Sequence, residues 1–149
     1  MKRRPTAREK LEKDQPPRLV PTPKGTMLIP RPLNVDALMR EIPEGRLATT
    51  GQIRDRLAKD CGADYSCPLT TGIFMRIAAE AAEEDIRSGR RDIAPYWRVV
   101  RDDGSLNPKF PGGVEAQAAR LAQEGHAILP SRGKAAPKVK DYQQHLQAL

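Results

Sequence analysis

Residues 42–53 read Ile-Pro-Glu-Gly-Arg-Leu-Ala-Thr-Thr-Gly-Gln-Ile, and they separate two helical patterns. Before this stretch, apolar side chains recur at helical spacing behind Asn34, a residue suited to an N-cap. The proline and glycine end that first helix, because proline cannot continue a helix and glycine favours the conformation found just after one. Thr49 or Thr50 can then cap a second helix, whose apolar face begins at Ile53. We therefore expect two helices joined by a short extended connection.

A third helix, a hairpin and a fourth helix are predicted downstream. The widest apolar stripe at helical spacing begins near Pro68 and stops at Ser88. Residues 97–100 and a short stretch near Leu106 are predicted to be two strands around a turn, and residues 114–124 the last core helix. This order predicts a mainly α fold with a small β-hairpin, namely a winged helix-turn-helix. The alternative is a small α-helical domain that carries one hairpin.

Charge divides the 149-residue chain into three parts. Residues 1–32 hold nine Lys/Arg, three Asp/Glu and seven of the 14 prolines, which predicts a basic Pro-rich arm with a net charge of +6. Residues 33–129, the predicted domain, have a net charge of −2. Residues 130–149 have a net charge of +3 and are predicted to be a basic tail, with a short helix at 139–149. Because the total of +7 comes from the two ends, it does not by itself indicate nucleic-acid binding.

Several classes of protein are excluded or disfavoured by composition. No apolar run approaches the roughly 20 residues that a membrane-spanning helix needs, so we expect no membrane contact. No apolar signal segment follows the basic N-terminus, and two cysteines make no disulfide framework, so we expect a cytoplasmic protein. We also expect a monomer. The spacing of Cys61 and Cys67 fits no common zinc pattern, and the sequence predicts neither a metal nor a cofactor.

Four stretches together resemble the DNA-binding domain of the O6-alkylguanine-DNA alkyltransferases and the alkyltransferase-like proteins. They are residues 42–53, residues 94–100 (Ala-Pro-Tyr-Trp-Arg-Val-Val), Asp103-Gly104-Ser105-Leu106 with Gly112-Gly113-Val114-Glu115, and residues 121–126 (Leu-Ala-Gln-Glu-Gly-His). They occur in the order found in that family and cover about residues 34–129. The resemblance implies a winged helix-turn-helix with its recognition helix in the minor groove, and a damaged guanine flipped into a pocket.

The same resemblance implies that the chain is not an enzyme. Tyr96 stands where the family's nucleophilic Cys would be, and Trp97 stands where the neighbouring His would be. A phenol with an ordinary pKa of about 10 cannot replace an activated thiolate, so alkyl transfer by this route is not expected. Alkyltransferase-like proteins typically have Trp followed by His at these positions, and the Tyr-Trp pair departs from that pattern as well. Glu124 is retained.

The resemblance also supplies candidate site residues. A lesion pocket is expected at Tyr96, Trp97, Arg98 and Glu124, with Trp97 as an ordinary core residue being the alternative. DNA contacts are expected from the four residues Thr50, Thr71, Arg76 and Ser105. Thr50 replaces the larger Tyr that helps to rotate the nucleotide, and Arg76 best matches the family's intercalating arginine. The alternative for Arg76 is a solvated residue on the polar face of its helix.

Three functions stay open at this point. The first is a non-enzymatic protein that binds double-stranded DNA, recognises alkylated or distorted sites and recruits a repair protein. The second is a winged-helix interaction module that binds a protein or small ligand at a pocket formed by Tyr96 and Trp97. The third is an enzyme that uses Cys67, whose thiol at a helix start would have a lowered pKa.

Overall fold

The computed structural model describes residues 3–13 and 15–149, so Met1, Lys2 and Asp14 of the predicted arm lie outside the described residues. The fold is helix-rich, with three small sheets. The helices are α1 (Ala7–Glu12), α2 (Pro32–Arg40), α3 (Thr50–Asp60), α4 (Pro68–Arg87) and α5 (Gly113–Gln123). The strands are β1 (Arg18–Thr22), β2 (Gly25–Ile29), β3 (Ala48–Thr49), β4 (Tyr65–Ser66), β5 (Val99–Val100), β6 (Ile128–Leu129) and β7 (Lys138–Val139). Short 3-10 helices cover Tyr96–Arg98 and Tyr142–His145.

The four predicted core helices are confirmed, and capping explains where two of them begin. The Thr49 hydroxyl accepts from the Gln52 backbone N–H at 3.1 Å, and the Gln52 side chain accepts from the Thr49 backbone N–H at 2.8 Å. This reciprocal pair fixes the start of α3. The predicted N-cap at Asn34 is wrong, because α2 already begins at Pro32 with Arg31 as its cap. Proline supplies a helical φ and needs no hydrogen-bond acceptor in the first turn.

Helix α4 is the centre of the core. Its buried face includes Phe74, Met75 and Ala78, and it packs against both α1 and α2. The alanines along this face let neighbouring elements approach closely. Although α4 has 20 residues, neither it nor any other helix in the described part of the chain is long and apolar enough to cross a membrane.

The predicted hairpin at residues 97–106 is wrong. Strand β5 pairs in parallel with β3, so its partner lies about fifty residues earlier in the chain. The Arg101 backbone N–H does close a turn by donating to the Ser105 carbonyl at 2.9 Å. Ser105 itself, however, forms an antiparallel bridge with Lys138. A tight turn is therefore present without the predicted second strand.

Within the described residues, the N-terminal region differs from an extended arm. Glu84 of α4 accepts from the backbone N–H groups of Ala7 and Arg8 at 2.8 and 3.0 Å, which satisfies the free end of α1. Strands β1 and β2 form an antiparallel hairpin, and β2 pairs in parallel with β4. Leu11 and Leu28 are buried, at 0% and 1% exposure. Apolar burial and one capping carboxylate therefore hold this segment against the helices.

The C-terminal region also folds back onto the domain. Val139 is fully buried, and the Leu47 backbone N–H donates to the His145 carbonyl at 2.9 Å. The Gln147 backbone N–H donates to the Leu47 carbonyl at 2.7 Å, so Leu47 is bracketed by the C-terminal segment. The helix expected at 139–149 is limited to the short 3-10 turn Tyr142–His145.

The packing of α1 yields a stability prediction. Leu11→Ala removes a fully buried side chain and should lower the free energy of unfolding by about 3 kcal/mol. Urea denaturation measures the change, with the exposed neighbour Lys10→Ala as the matched control. Equal stabilities of the two variants would contradict the packed position of α1.

Candidate functional site

A buried ion pair lies at the position of the predicted lesion pocket. The Arg98 guanidinium donates to both carboxylate oxygens of Glu124, from Nε at 2.9 and 3.1 Å and from Nη2 at 2.8 Å. The Trp97 indole N–H donates to the same carboxylate at 3.0 Å. Arg98 also donates to the Ile42 carbonyl at 2.7 Å, at the start of the segment that joins α2 to α3. The Arg98 and Glu124 side chains are only 14% and 7% exposed.

The environment keeps Glu124 charged. Burial alone would raise the pKa of this carboxyl group, but the hydrogen bonds from Arg98 and Trp97 and the nearby positive charge lower it below its ordinary range. Both oxygens of this carboxylate therefore accept hydrogen bonds from Arg98, and one of them also accepts from Trp97.

Tyr96 takes part in a second polar pair. Its hydroxyl donates to Glu83 Oε1 at 2.6 Å, and Arg120 Nη2 donates to the same oxygen at 2.8 Å. Burial, reinforced by the contact with the Glu83 carboxylate, raises the pKa of Tyr96 far above its ordinary value. The phenol is therefore neutral at physiological pH.

The aromatic rings fill the space in which a base was expected. Tyr96 is 2% exposed and Trp97 is 8% exposed. Tyr96 packs edge-to-face against Trp97 and Phe110, with centroid distances of 5.4 and 5.3 Å. The Arg120 guanidinium carbon lies 4.4 Å from the Trp97 ring centroid and covers the ring. Tyr96 and Trp97 are therefore packed side by side in the interior, and a pocket for a base or a small ligand at these residues stays a prediction.

An open groove lies elsewhere, between α3, the first half of α4 and the loop of residues 101–109. Its volume is about 300 Å³. Its lining residues, which define the basic groove, are Thr50, Arg54, Pro68, Leu69, Gly72, Ile73, Met75, Arg76, Arg101, Asn107 and Lys109. Four of these side chains are cationic and none is acidic. The acidic domain predicted from composition thus carries a local concentration of positive charge.

The basic groove contains two of the four predicted DNA-contacting residues. Thr50 lies at the start of α3, and Arg76 lies on α4 with about half of its side chain exposed. Thr71 is 0% exposed, and its hydroxyl donates to the Cys67 carbonyl at 2.7 Å. Ser105 is 6% exposed and faces Lys138. The last two side chains are therefore part of the interior, because their backbone positions face inward.

Arg54, Arg101 and Lys109 were not predicted as site residues. Arg54 comes from α3, and Arg101 and Lys109 come from the loop of residues 101–109, so only the packing of α3 against this loop brings the three side chains to one groove. Asp102 borders the groove and accepts from the Gly51 backbone N–H at 2.7 Å and from Arg54 at 3.3 Å. Its carboxylate thus stabilises the start of α3 and partly offsets the charge of Arg54.

Cys67 is the N-cap residue of α4. Burial would raise the pKa of its thiol, but hydrogen bonding from Thr70, whose hydroxyl lies 3.2 Å from Cys67 Sγ, lowers it. No cluster of three or more His, Cys, Asp or Glu side chains with metal-binding geometry occurs among the residues described. A role for Cys67 in transfer chemistry stays an untested hypothesis.

The buried ion pair yields a second stability prediction. Glu124→Gln leaves the Arg98 charge without its counter-ion and should lower the free energy of unfolding by roughly 3 kcal/mol at neutral pH. Chemical denaturation measures this loss, and Glu44→Gln, at an exposed site, is the matched control. A loss no larger than that of the control would show that the pair is not needed.

The same variant predicts a pH dependence. Because the folded-state pKa of Glu124 lies below its ordinary value of 4.5, its charge stabilises the fold fully above that value. This stabilisation is lost as the pH falls through the folded-state pKa. The stability gap between the wild type and Glu124→Gln should therefore narrow as the pH falls below 4.5 in a pH series of unfolding curves. A gap of constant size in strong acid would contradict this assignment.

Comparison with known proteins identifies the fold. No protein-family model matches the chain, and no curated protein matches it. Two solved structures from S. pombe do: Atl1 in complex with damaged DNA containing O6-carboxymethylguanine, with a TM-score of 0.51, and ATL in complex with DNA, with a TM-score of 0.53. Each is 20% identical to this chain, and each match covers 78% of this chain and 93% of the other. The chain thus shares its fold with these S. pombe proteins.

Proposed function

We propose that the chain is a non-enzymatic DNA-binding protein of the alkyltransferase-like kind that recognises alkylated or distorted duplex DNA. In this proposal α3 and α4 form a helix-turn-helix, and the loop of residues 101–109 serves as the wing. The observation that carries the proposal is the basic groove, which lies where these three elements meet. The similarity to structures solved with DNA supports the same assignment at the level of the fold.

The charge distribution favours a phosphate backbone as the ligand. Arg54, Arg76, Arg101 and Lys109 surround the groove, although residues 33–129 as a whole are acidic. Each cation that neutralises a phosphate releases counter-ions, which makes binding strong at low salt and weak at high salt. The acidic remainder of the domain would repel DNA, so we propose a single orientation with the groove facing the duplex.

The buried cluster argues for binding without chemistry. The Tyr96 hydroxyl and the Trp97 indole N–H are hydrogen-bonded to Glu83 and Glu124, and both side chains are buried, so neither group is presented to a substrate in solvent. Arg120 covers the Trp97 ring. We therefore propose that damage is distinguished by how easily the duplex deforms at the groove, without capture of a base between the two rings. A monomeric state and recruitment of a repair protein are further parts of the proposal.

The test compares three fluorescein-labelled duplexes of about 15 base pairs. One contains guanine, one contains O6-methylguanine at the same position, and one contains a mismatch there. Fluorescence anisotropy at about 50 and 200 mM salt gives the affinities. We expect binding to all three that weakens with salt, and tighter binding to the two altered duplexes. Absence of binding at the lower salt would overturn the proposal and favour an interaction module for a protein partner.

The groove cations yield a variant prediction. Arg101→Ala and Lys109→Ala should each reduce the slope of log affinity against log salt by about one, because each removes one phosphate contact. Anisotropy titrations over a salt series measure the slope. Arg91→Ala removes an exposed cation that does not line the groove and is the control. A slope that changes equally in all three variants would show that the groove is not the contact surface.

A further inference from the structure

Two apolar side chains project into the basic groove. Leu69 is 73% exposed and Ile73 is 38% exposed, and they lie one turn apart on α4. Leu69 is the most exposed of the large hydrophobic side chains in the described chain. One exposed leucine needs no explanation on an ordinary surface. Here, however, two exposed apolar side chains lie together in a groove lined by four cations, and exposed apolar side chains do not improve solubility.

The space beside Leu69 is open. Gly72 lies between Leu69 and Ile73 along α4, and a Cβ atom placed on it would meet nothing within 4 Å. Met75 is buried beneath the same surface, at 2% exposure. The groove therefore combines a buried apolar side chain at its floor, an exposed leucine and cationic side chains around it. A ligand that matches all three features has an anionic exterior and an apolar interior that can be reached from it.

Duplex DNA has these properties, because phosphates line its exterior and stacked bases form its interior. Proteins that bind the minor groove frequently insert apolar side chains between base steps. Arg76, by contrast, lies 3.8 Å from Glu80, and a guanidinium loses hydration when it enters a base stack. The projecting leucine meets no such penalty.

We propose that Leu69, backed by Ile73, is the wedge that enters the base stack of a distorted duplex, while Arg76 contacts a phosphate. This inference rests on the proposed function and adds the residue that confers selectivity. Unstacking an intact step is costly, whereas a mismatched or damaged step is already weakened. The wedge thus converts a local loss of stacking into tighter binding.

The test uses duplexes that carry 2-aminopurine, a base whose fluorescence rises when it is unstacked, next to a single mismatch or a matched pair. Wild-type protein should raise the fluorescence of the mismatched duplex and bind it about fivefold more tightly than the matched one. Leu69→Ala should abolish most of the fluorescence rise and of the preference for the mismatched duplex, and it should leave the salt slope unchanged because it removes no charge. Leu19→Ala, at an exposed leucine on β1 outside the groove lining, is the matched control.

Further outcomes separate the two proposals. A fluorescence rise that persists in Leu69→Ala but disappears in Arg76→Ala would overturn the inference and identify the arginine as the wedge, with DNA binding retained. Salt-dependent binding by the wild type without any fluorescence rise would also overturn the wedge and leave the proposed function standing. Failure of the wild type to bind either duplex would overturn both. A uniform loss of affinity for both duplexes in Arg76→Ala would support its assignment to a phosphate.

Discussion

The buried pair between Arg98 and Glu124 joins parts of the fold that no helix or sheet connects directly. Glu124 follows α5, Arg98 lies in the 3-10 turn before β5, and the guanidinium reaches the Ile42 carbonyl after α2. Neither charge could be buried alone, so the three segments must arrive together. Once they do, β5 is held beside β3, and the start of α3 is positioned against the loop that begins at Arg101.

This constraint separates the part of the molecule that holds the fold from the part that faces solvent. Tyr96 and Trp97 are interior residues, and each is hydrogen-bonded to a carboxylate. Their rings pack against each other, and Arg120 covers the Trp97 ring. The solvent-facing cations lie in the basic groove, where Arg54 and Arg76 are each beside an acidic residue, Asp102 and Glu80.

Local signals in the sequence were sufficient to predict where the core helices lie. The apolar stripe and the following Ser88 located α4, and a cap expected at Thr49 or Thr50 located the start of α3. The N-terminal hairpin was missed because Pro21 and neighbouring charges resemble an extended arm. Its pairing depends on β4, which follows it by more than thirty residues.

The candidate site was less predictable for the same reason. Arg54, Arg101 and Lys109 line one groove because of packing, and no sequence spacing links them. The resemblance predicted a lesion pocket at Tyr96 and Trp97, and core packing was the alternative for Trp97. Whether those rings lined a cavity or filled it depended on Glu83 and Arg120, which lie on two different helices.

The bracketing of Leu47 by His145 and Gln147 has a consequence for synthesis. During translation, Leu47 leaves the ribosome about a hundred residues before His145 and Gln147, which complete its backbone hydrogen bonds. Strand β3 can pair with β5 earlier, because β5 follows it by about fifty residues. A nascent chain halted before residue 145 would therefore hold the paired β3 and β5 but leave the Leu47 backbone N–H and carbonyl without these partners.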